Sequence, residues 1–317
     1  MRRLFLRGLL AVLVVLALVM SFGPRESVGV LPEPPLAPGA TPTETAAQAL
    51  RAEDYVPGLR PEARKAVVWA GAEDARTPVS VIAVHDFAED PAWIRPLAAP
   101  VAEALGANLF LTRLSGHGAG PSELAQARAS DWMLDMAEAL AVGRALGDRV
   151  LVIGAGLGGA LAAIAAAEPG GQERIAGYAF VSPTFELRLP GAHLLAGAFG
   201  RQIAVLWGGE HEGAPAEALA PLAAVAEAAS LTLYEGVTAP ALFLVSDDDA
   251  TADPAAAREV AGRWGTAAQV VTLAPGPRDD PTGHALAGPA SPELTEAAVA
   301  AVLDWARARG IGETPPR

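Results

Sequence analysis

Two side chains late in the sequence have the types and the order needed for acid–base chemistry. Asp249 is the last of three consecutive aspartates after the apolar run ALFLV, and His284 lies in a later loop, PGPRDDPTGHALAG. A carboxylate that orients an imidazole makes it a general base, which activates a hydroxyl or a water for attack on a carbonyl carbon. We therefore predict that Asp249 orients His284, with Asp248 as the alternative carboxylate.

A glycine-rich turn is the third candidate feature. Residues 150–163, VLVIGAGLGGALAA, form an apolar run that breaks at glycines and continues as an alanine-rich helix. Gly154, Gly156 and Gly159 have the G-x-G-x-x-G spacing that lets a backbone approach a dinucleotide pyrophosphate. A strand–turn–helix of this kind also holds the nucleophilic serine of some hydrolases at its tip. In that second interpretation, Gly156 occupies the serine position.

The surroundings of the turn favour the second interpretation. A dinucleotide site needs an acidic residue about 20 residues further on, at the end of the next strand, to bind the ribose. The next apolar run, GYAFVSP, ends in Ser182 and Pro183, and Glu186 comes too late. At least three predicted strands also precede the turn, whereas the fingerprint opens a nucleotide domain. Binding of flavin or NAD through GAGLGG is therefore the least favoured hypothesis.

The elements that must position these residues alternate along the chain. Short apolar runs and helical patterns follow one another, which predicts an α/β fold with a doubly wound, mostly parallel sheet. Residues 186–238 interrupt this alternation with an alanine- and glycine-rich, mostly helical segment, which predicts a lid. The predicted strands are 66–70, 79–84, 108–114, 149–153, 177–181, 241–245 and 269–273. The predicted helices are 92–105, 130–146, 158–167, 254–264 and 292–309.

Composition excludes several classes of site and partner. The chain has 317 residues, 51% of them apolar, which suffices for one sizeable domain. The net charge of −13 disfavours nucleic acid, or an anionic lipid surface, as the main partner of the soluble part. No cysteine is present, which excludes disulfides and thiolate metal sites, and the histidines lack metal-ligand spacing. We expect neither a metal nor a cofactor.

The N-terminus carries a targeting pattern. Arg2, Arg3 and Arg7 precede the apolar run from Gly8 to Phe22, which is followed by a segment with six prolines up to Pro42. The run resembles a signal-peptide core in length, but it lacks an A-x-A-type cleavage site, which favours an uncleaved anchor. We predict a membrane anchor or signal segment at 1–23, a Pro-rich linker at 24–42 and one domain at 43–317. The domain would be periplasmic, or secreted if the segment is cleaved.

Four motifs appear in the order that one hydrolase fold requires. VIAVHDF at 81–87 ends a strand ahead of the glycine turn, and NLFLTRLSGHG leads into a glycine-rich loop. SDDDATADP supplies the acid after the last strand but one, and GHALAGPASP supplies the histidine after the last. From about Lys65 to Ala308 the chain resembles the α/β-hydrolase family. It is most similar to the bacterial lysophospholipase-like and serine-aminopeptidase-like branch.

This resemblance implies a role for each matching position. His284 corresponds to the general base, Asp249 to the orienting acid, and Gly156 to the nucleophile. The backbone amides of Phe87 and Leu157 correspond to the oxyanion-hole donors. Further candidates for the pocket, at the carboxyl edge of the sheet, are His85, Asp86, Ser115, His117 and Ser182. The implied ligands are esters, lysolipids or small amides.

A glycine at the nucleophile position has a direct chemical consequence. It keeps the strained turn, because glycine adopts positive φ freely, and it removes the hydroxyl that forms an acyl-enzyme. We therefore expect an impaired hydrolase that binds an acyl-type small molecule or a partner, and we expect Gly156→Ser to restore turnover. The alternative is an active ester hydrolase that uses water on the His284–Asp249 pair, or a non-standard serine such as Ser115 or Ser182.

Overall fold

The computed structural model describes residues 2–37, 41–208, 210–211, 213–266 and 268–312. The strands are β1 Ala66–Val68, β2 Thr77–Val84, β3 Asn108–Thr112, β4 Gly147–Ala155, β5 Ile175–Val181, β6 Glu210–His211, β7 Ala214–Pro215, β8 Ala241–Val245 and β9 Ala268–Thr272. Within the described ranges, seven of them form one sheet in the order β1-β3-β2-β4-β5-β8-β9, and β6 pairs with β7 alone. In the large sheet, β1 pairs antiparallel with β3 and the other neighbours are parallel.

Helices cover both faces of this sheet. They are α1 Arg2–Phe22, α2 Pro42–Arg51, α3 Pro91–Ala104, α4 Pro121–Gln126, α5 Ala129–Leu146, α6 Gly156–Ala167, α7 Pro169–Gln172, α8 Ala192–Ala196, α9 Gly200–Trp207, α10 Leu219–Leu231, α11 Pro254–Gly262 and α12 Pro292–Arg307. On one face, α5, α6, α10 and α11 pack around Trp132 and Trp264. On the other, α3 and α12 pack around Trp93 and Trp305. The predicted α/β fold with a doubly wound, mostly parallel sheet is confirmed.

Local chemistry accounts for the ends of the helices that border the site. The side chain of Asp90 accepts hydrogen bonds from the first amides of α3, and that of Asp253 does the same for α11. Both helices begin with a proline, whose fixed φ suits the first helical position. Because the parallel strands all end at one edge, these helix starts and the loops between them surround the site.

The segment predicted as a lid contains α8, α9, the β6–β7 pair and α10. Helix α10 packs on α6 and on α8, which connects this segment to the glycine turn. Upstream, residues 23–36 contain no helix or strand but pack against the domain. Val28, Leu31 and Leu36 lie half-buried against the main core, and the buried Glu26 carboxylate forms ion pairs with Arg128 and Arg201.

The predicted division into anchor, linker, domain and lid stays a prediction. Parts of it, including residues 38–40 of the linker, 209 and 212 of the lid and 313–317 of the domain, fall outside the described residues. Among the residues that are described, no helix combines the length and the apolarity needed to cross a membrane.

Candidate active site

The loops after β8 and β9 bring the predicted acid and imidazole together. His284 Nδ1 lies 2.9 Å from Oδ2 and 3.1 Å from Oδ1 of Asp249, and both side chains are buried. Asp249 Oδ1 also accepts hydrogen bonds from the amides of Thr251 and Ala252, which fix the carboxylate. Asp248 makes no hydrogen bond to His284 among the described residues. The structure therefore places Asp249, and not the alternative Asp248, against the imidazole.

The other nitrogen of His284 also faces a carboxylate. His284 Nε2 lies 2.9 Å from Oδ2 of Asp86, which follows β2. In a serine hydrolase this nitrogen takes the proton of the nucleophilic hydroxyl. The imidazole is instead held between two buried carboxylates, those of Asp249 and Asp86.

The Asp86 carboxylate fills the space of the missing nucleophile. Gly156 has φ +45°, the left-handed conformation expected at this turn, and it begins α6. A Cβ atom built on Gly156 would lie 1.6 Å from Oδ1 of Asp86, which is far inside van der Waals contact. A serine at position 156 therefore requires the Asp86 carboxylate to move, which weighs against the expectation that Gly156→Ser alone restores turnover.

The same carboxylate occupies the predicted oxyanion hole. Asp86 Oδ1 accepts hydrogen bonds from the amides of Phe87, at 2.6 Å, and Leu157, at 2.8 Å. The amide of Leu157 belongs to the first turn of α6, where the helix dipole also favours a negative charge. Both amides thus bind a negative oxygen, as the resemblance implies, but that oxygen belongs to the protein's own side chain.

Electrostatics fix the charge of this cluster. Burial alone would lower the pKa of His284, but the charges of Asp86 and Asp249 and the hydrogen bonds to them raise it well above its ordinary value of 6.5. Burial opposes the ionised form of Asp86 as well, yet the His284 charge and the two amides lower its pKa. With its pKa raised in this way, His284 is an imidazolium at neutral pH whose two N–H groups each donate a hydrogen bond to a carboxylate, and it has no lone pair to act as a base.

Two further histidines support the loops and do not reach the imidazolium. His85 Nε2 accepts a hydrogen bond from the amide of Leu114, so its Nδ1 donates to the carbonyl of Asp86, 2.7 Å away. Burial lowers the pKa of His85 to about 4 and that of His117 to about 3, so both are neutral. Their rings contact each other edge to face with centroids 5.0 Å apart. His85 thus positions the backbone that carries Asp86.

The two candidate serines, Ser115 and Ser182, differ in their surroundings. The amide of Ser115 donates to Asp135, and its carbonyl accepts from the indole of Trp132. Ser182 has φ +41°, and its buried hydroxyl has no hydrogen-bond partner among the described residues. In this part of the chain neither serine hydrogen-bonds to His284, so the structure does not join either one to the acid–imidazole pair.

Close packing accounts for the glycines of the turn. A Cβ on Gly158 would lie 2.4 Å from the carbonyl oxygen of Val84, and one on Gly154 would lie 2.7 Å from that of Gly158. These glycines therefore let α6 approach β2 and β4. Across the described residues, no group of three or more potential side-chain ligands is arranged to hold a metal ion.

Known proteins share this arrangement of strands and helices. The sequence profile described as serine hydrolase matches residues 119–276, a range that contains Gly156 and Asp249 but neither Asp86 nor His284. A structure from the work on LipS and LipT, two metagenome-derived lipolytic enzymes, superimposes with a TM-score of 0.62 at 23% identity. The alignment covers 79% of this chain and 99% of that one. The protein has the α/β-hydrolase fold.

Two other structures superimpose on this α/β-hydrolase fold at lower identity. Monoglyceride lipase from Saccharomyces cerevisiae gives a TM-score of 0.58 at 12% identity and covers 78% of this chain and 91% of its own. Monoacylglycerol lipase from Paleococcus ferrophilus gives 0.53 at 17% identity, with 77% and 98% covered. Among curated proteins, no relative matches by sequence. The branch within the fold stays a prediction.

Proposed function

We propose that this α/β-hydrolase-fold protein is impaired in acyl-serine ester hydrolysis and binds an acyl-type small molecule. One observation supports the impairment of hydrolysis: the Asp86 carboxylate occupies the volume next to Gly156 and accepts hydrogen bonds from both oxyanion-hole amides. An acyl transfer needs a nucleophile at that point and free donors for the oxygen of the tetrahedral intermediate. Loss of the nucleophile alone typically lowers turnover by a factor of about 10⁶.

The same contacts weigh against an active enzyme that uses water. Activation of water requires a free lone pair on His284 Nε2, whereas this nitrogen donates to Asp86. Proton transfer would also require His284 to lose a proton that two carboxylates stabilise. Water-based hydrolysis is for these reasons the weaker of the two functions.

A cavity in the lid region suits an acyl chain. It has a volume of about 390 Å³ and lies between α8, α10 and the loop after β5. Its apolar lining includes Phe185, Leu187, Leu189, Ala192, Ala196, Ala223 and Ala226. Glu186 and Glu227 also line it, so it disfavours an anionic head group and favours an uncharged ester or amide. The lipolytic enzymes with the same fold support this choice of ligand class.

The first test is labelling with a fluorophosphonate, a reagent that modifies activated serine hydroxyls. We expect no covalent labelling of the native protein, because His284 Nε2 contacts the Asp86 carboxylate and, among the described residues, no hydroxyl hydrogen-bonds to this nitrogen. Intact-mass spectrometry measures the outcome, and an esterase of the same fold with its serine intact serves as the positive control. Labelling that disappears in His284→Ala would contradict the proposal, since it would identify an activated hydroxyl.

The second test fills the lid cavity. Ala226 is buried on α10 and lines the cavity, so Ala226→Phe should weaken binding of 1-decanoylglycerol at least about 10-fold by occupying the chain's volume. Titration calorimetry below the critical micelle concentration measures the affinity. Ala255→Phe, at an exposed position of α11 outside the cavity, is the matched control and should bind as the native protein does. Equal affinity in both variants would place the ligand elsewhere.

A further inference from the structure

Two segments of the chain contain no acidic residue. The chain has 36 Asp and Glu, yet residues 1–25 and residues 187–209 contain none, and these are the two longest stretches without an acid. The first carries Arg2, Arg3, Arg7 and Arg25, and the second carries Arg188 and Arg201. The net charge of −13 therefore arises entirely outside these two segments, both of which are locally positive.

These two segments meet in space. The amide of Phe199 donates a hydrogen bond of 2.6 Å to the carbonyl of Pro24, and Gly23 lies directly against the Phe199 ring. Glu26 then pairs with Arg201 on α9 while it is almost fully buried. The end of α1 is thus attached to the start of α9 by a hydrogen bond, a ring contact and a partly buried ion pair.

Next to this junction, the lid exposes large apolar side chains. Leu206 is 84% exposed, Val205 51%, Trp207 48% and Leu194, on neighbouring α8, 42%. We call these four residues the lid patch. Exposed apolar side chains that cluster on one surface mark a contact with a partner or a membrane. Tryptophan in particular is enriched where apolar and aqueous phases meet.

We propose that the lid patch docks on a lipid bilayer, the same bilayer that takes up the apolar side chains of α1. A bilayer is the inferred partner because the apolar surface of α1 leads to the lid patch. The described side chains of α1 between Phe5 and Phe22 are exposed and almost all apolar, and α1 ends at the junction with α9. The choice of a bilayer also follows from the charge of the N-terminus, since Arg2, Arg3 and Arg7 precede the apolar run in a stretch of sequence without acidic residues, and basic residues beside an apolar helix suit the phosphates of lipid head groups. Together α1 and the lid patch form one membrane-facing surface.

The absence of cysteine makes a site-specific test simple. Leu206→Cys in the full chain would be labelled with an environment-sensitive fluorophore and incorporated into vesicles of phosphatidylcholine and phosphatidylglycerol. Leu233→Cys, at an equally accessible leucine that is 76% exposed between α10 and β8, is the matched control. At position 206 we expect a blue-shifted emission that brominated lipids quench at least about twofold. At position 233 we expect emission typical of water and no such quenching.

Each other outcome overturns the proposal. Water-like emission at position 206 in vesicles would mean that the patch stays in solvent. A blue shift that brominated lipids do not quench would assign the patch to a protein contact, either a second copy or another partner. Val205→Cys provides an independent label on the same helix if Leu206→Cys folds poorly. The test does not depend on the acyl-binding function, because it measures only the surroundings of the lid patch.

Discussion

The double variant Asp86→Gly/Gly156→Ser is expected to hydrolyse p-nitrophenyl esters at least about 100-fold faster than the native protein. Removal of the Asp86 carboxylate frees the amides of Phe87 and Leu157 and vacates the volume at the tip of the turn. The hydroxyl of the new serine would then face His284 Nε2. Without Asp86 beside it, the pKa of His284 also falls, so the imidazole can accept a proton.

The single variants separate the effect of the new nucleophile from the effect of the freed oxyanion-hole amides. Gly156→Ser should remain inactive and should be less stable than the native protein, because its Cβ overlaps Asp86 Oδ1. Asp86→Gly should also remain inactive, since it opens the oxyanion hole but supplies no nucleophile. Initial rates and fluorophosphonate labelling measure all three proteins. A folded double variant without added turnover would contradict the assignment of this turn as a nucleophile position.

Asp86→Asn is expected to lower the pKa of His284 by at least about one unit and to destabilise the protein by about 2 kcal/mol near pH 6. The amide keeps the shape of the carboxylate and can still accept hydrogen bonds from Phe87 and Leu157 through its carbonyl oxygen. It removes the negative charge that stabilises the imidazolium. NMR titration of the imidazole signals measures the pKa, and urea unfolding measures the free energy.

The pH dependence of stability follows from the two pKa shifts. The folded pKa of His284 is raised above 6.5, so its contribution is complete below that pH and is lost as the pH rises through the folded value. The folded pKa of Asp86 is lowered below 3.8, so its contribution is present above that pH and is lost as the pH falls through the folded value. The free-energy difference between native protein and Asp86→Asn should therefore shrink as the pH rises from the folded pKa of His284 in the variant to the higher folded pKa in the native protein. A difference that stays constant as the pH rises through the native folded pKa would contradict stabilisation of a charged His284 by Asp86.

Much of the fold follows from local sequence, because runs such as VSVIAV and ALFLV have few alternatives to buried strands. The acid–imidazole pair follows from chain order, since the loops after consecutive strands of a parallel sheet meet at one edge. The position of the Asp86 carboxylate does not follow from the sequence, because it depends on the distance between two backbones. A signal for it was nevertheless present: an acidic residue, Asp86, follows the strand that supplies one oxyanion-hole amide, and a glycine stands where the resemblance implies a serine.

The packing of residues 23–36 against the domain could not be predicted from the sequence either. Prolines and scarce apolar residues indicate an extended segment, and its backbone does lack helix and strand. Its contacts depend on partners far along the chain, as in the pairing of Glu26 with Arg201. Each residue of such a pair is an ordinary charged residue, and the sequence around it does not indicate its partner.

The overlap between position 156 and Asp86 limits how the two residues can change over evolutionary time. A serine at 156 is compatible with a small residue at 86, and an aspartate at 86 is compatible with glycine at 156, but serine and aspartate together require the carboxylate to move away from the turn. Single replacements therefore connect the two states with the least disturbance through a form with small residues at both positions. On that path, the hydroxyl disappears before the carboxylate arrives, and the reverse path must discard the carboxylate before any hydroxyl returns.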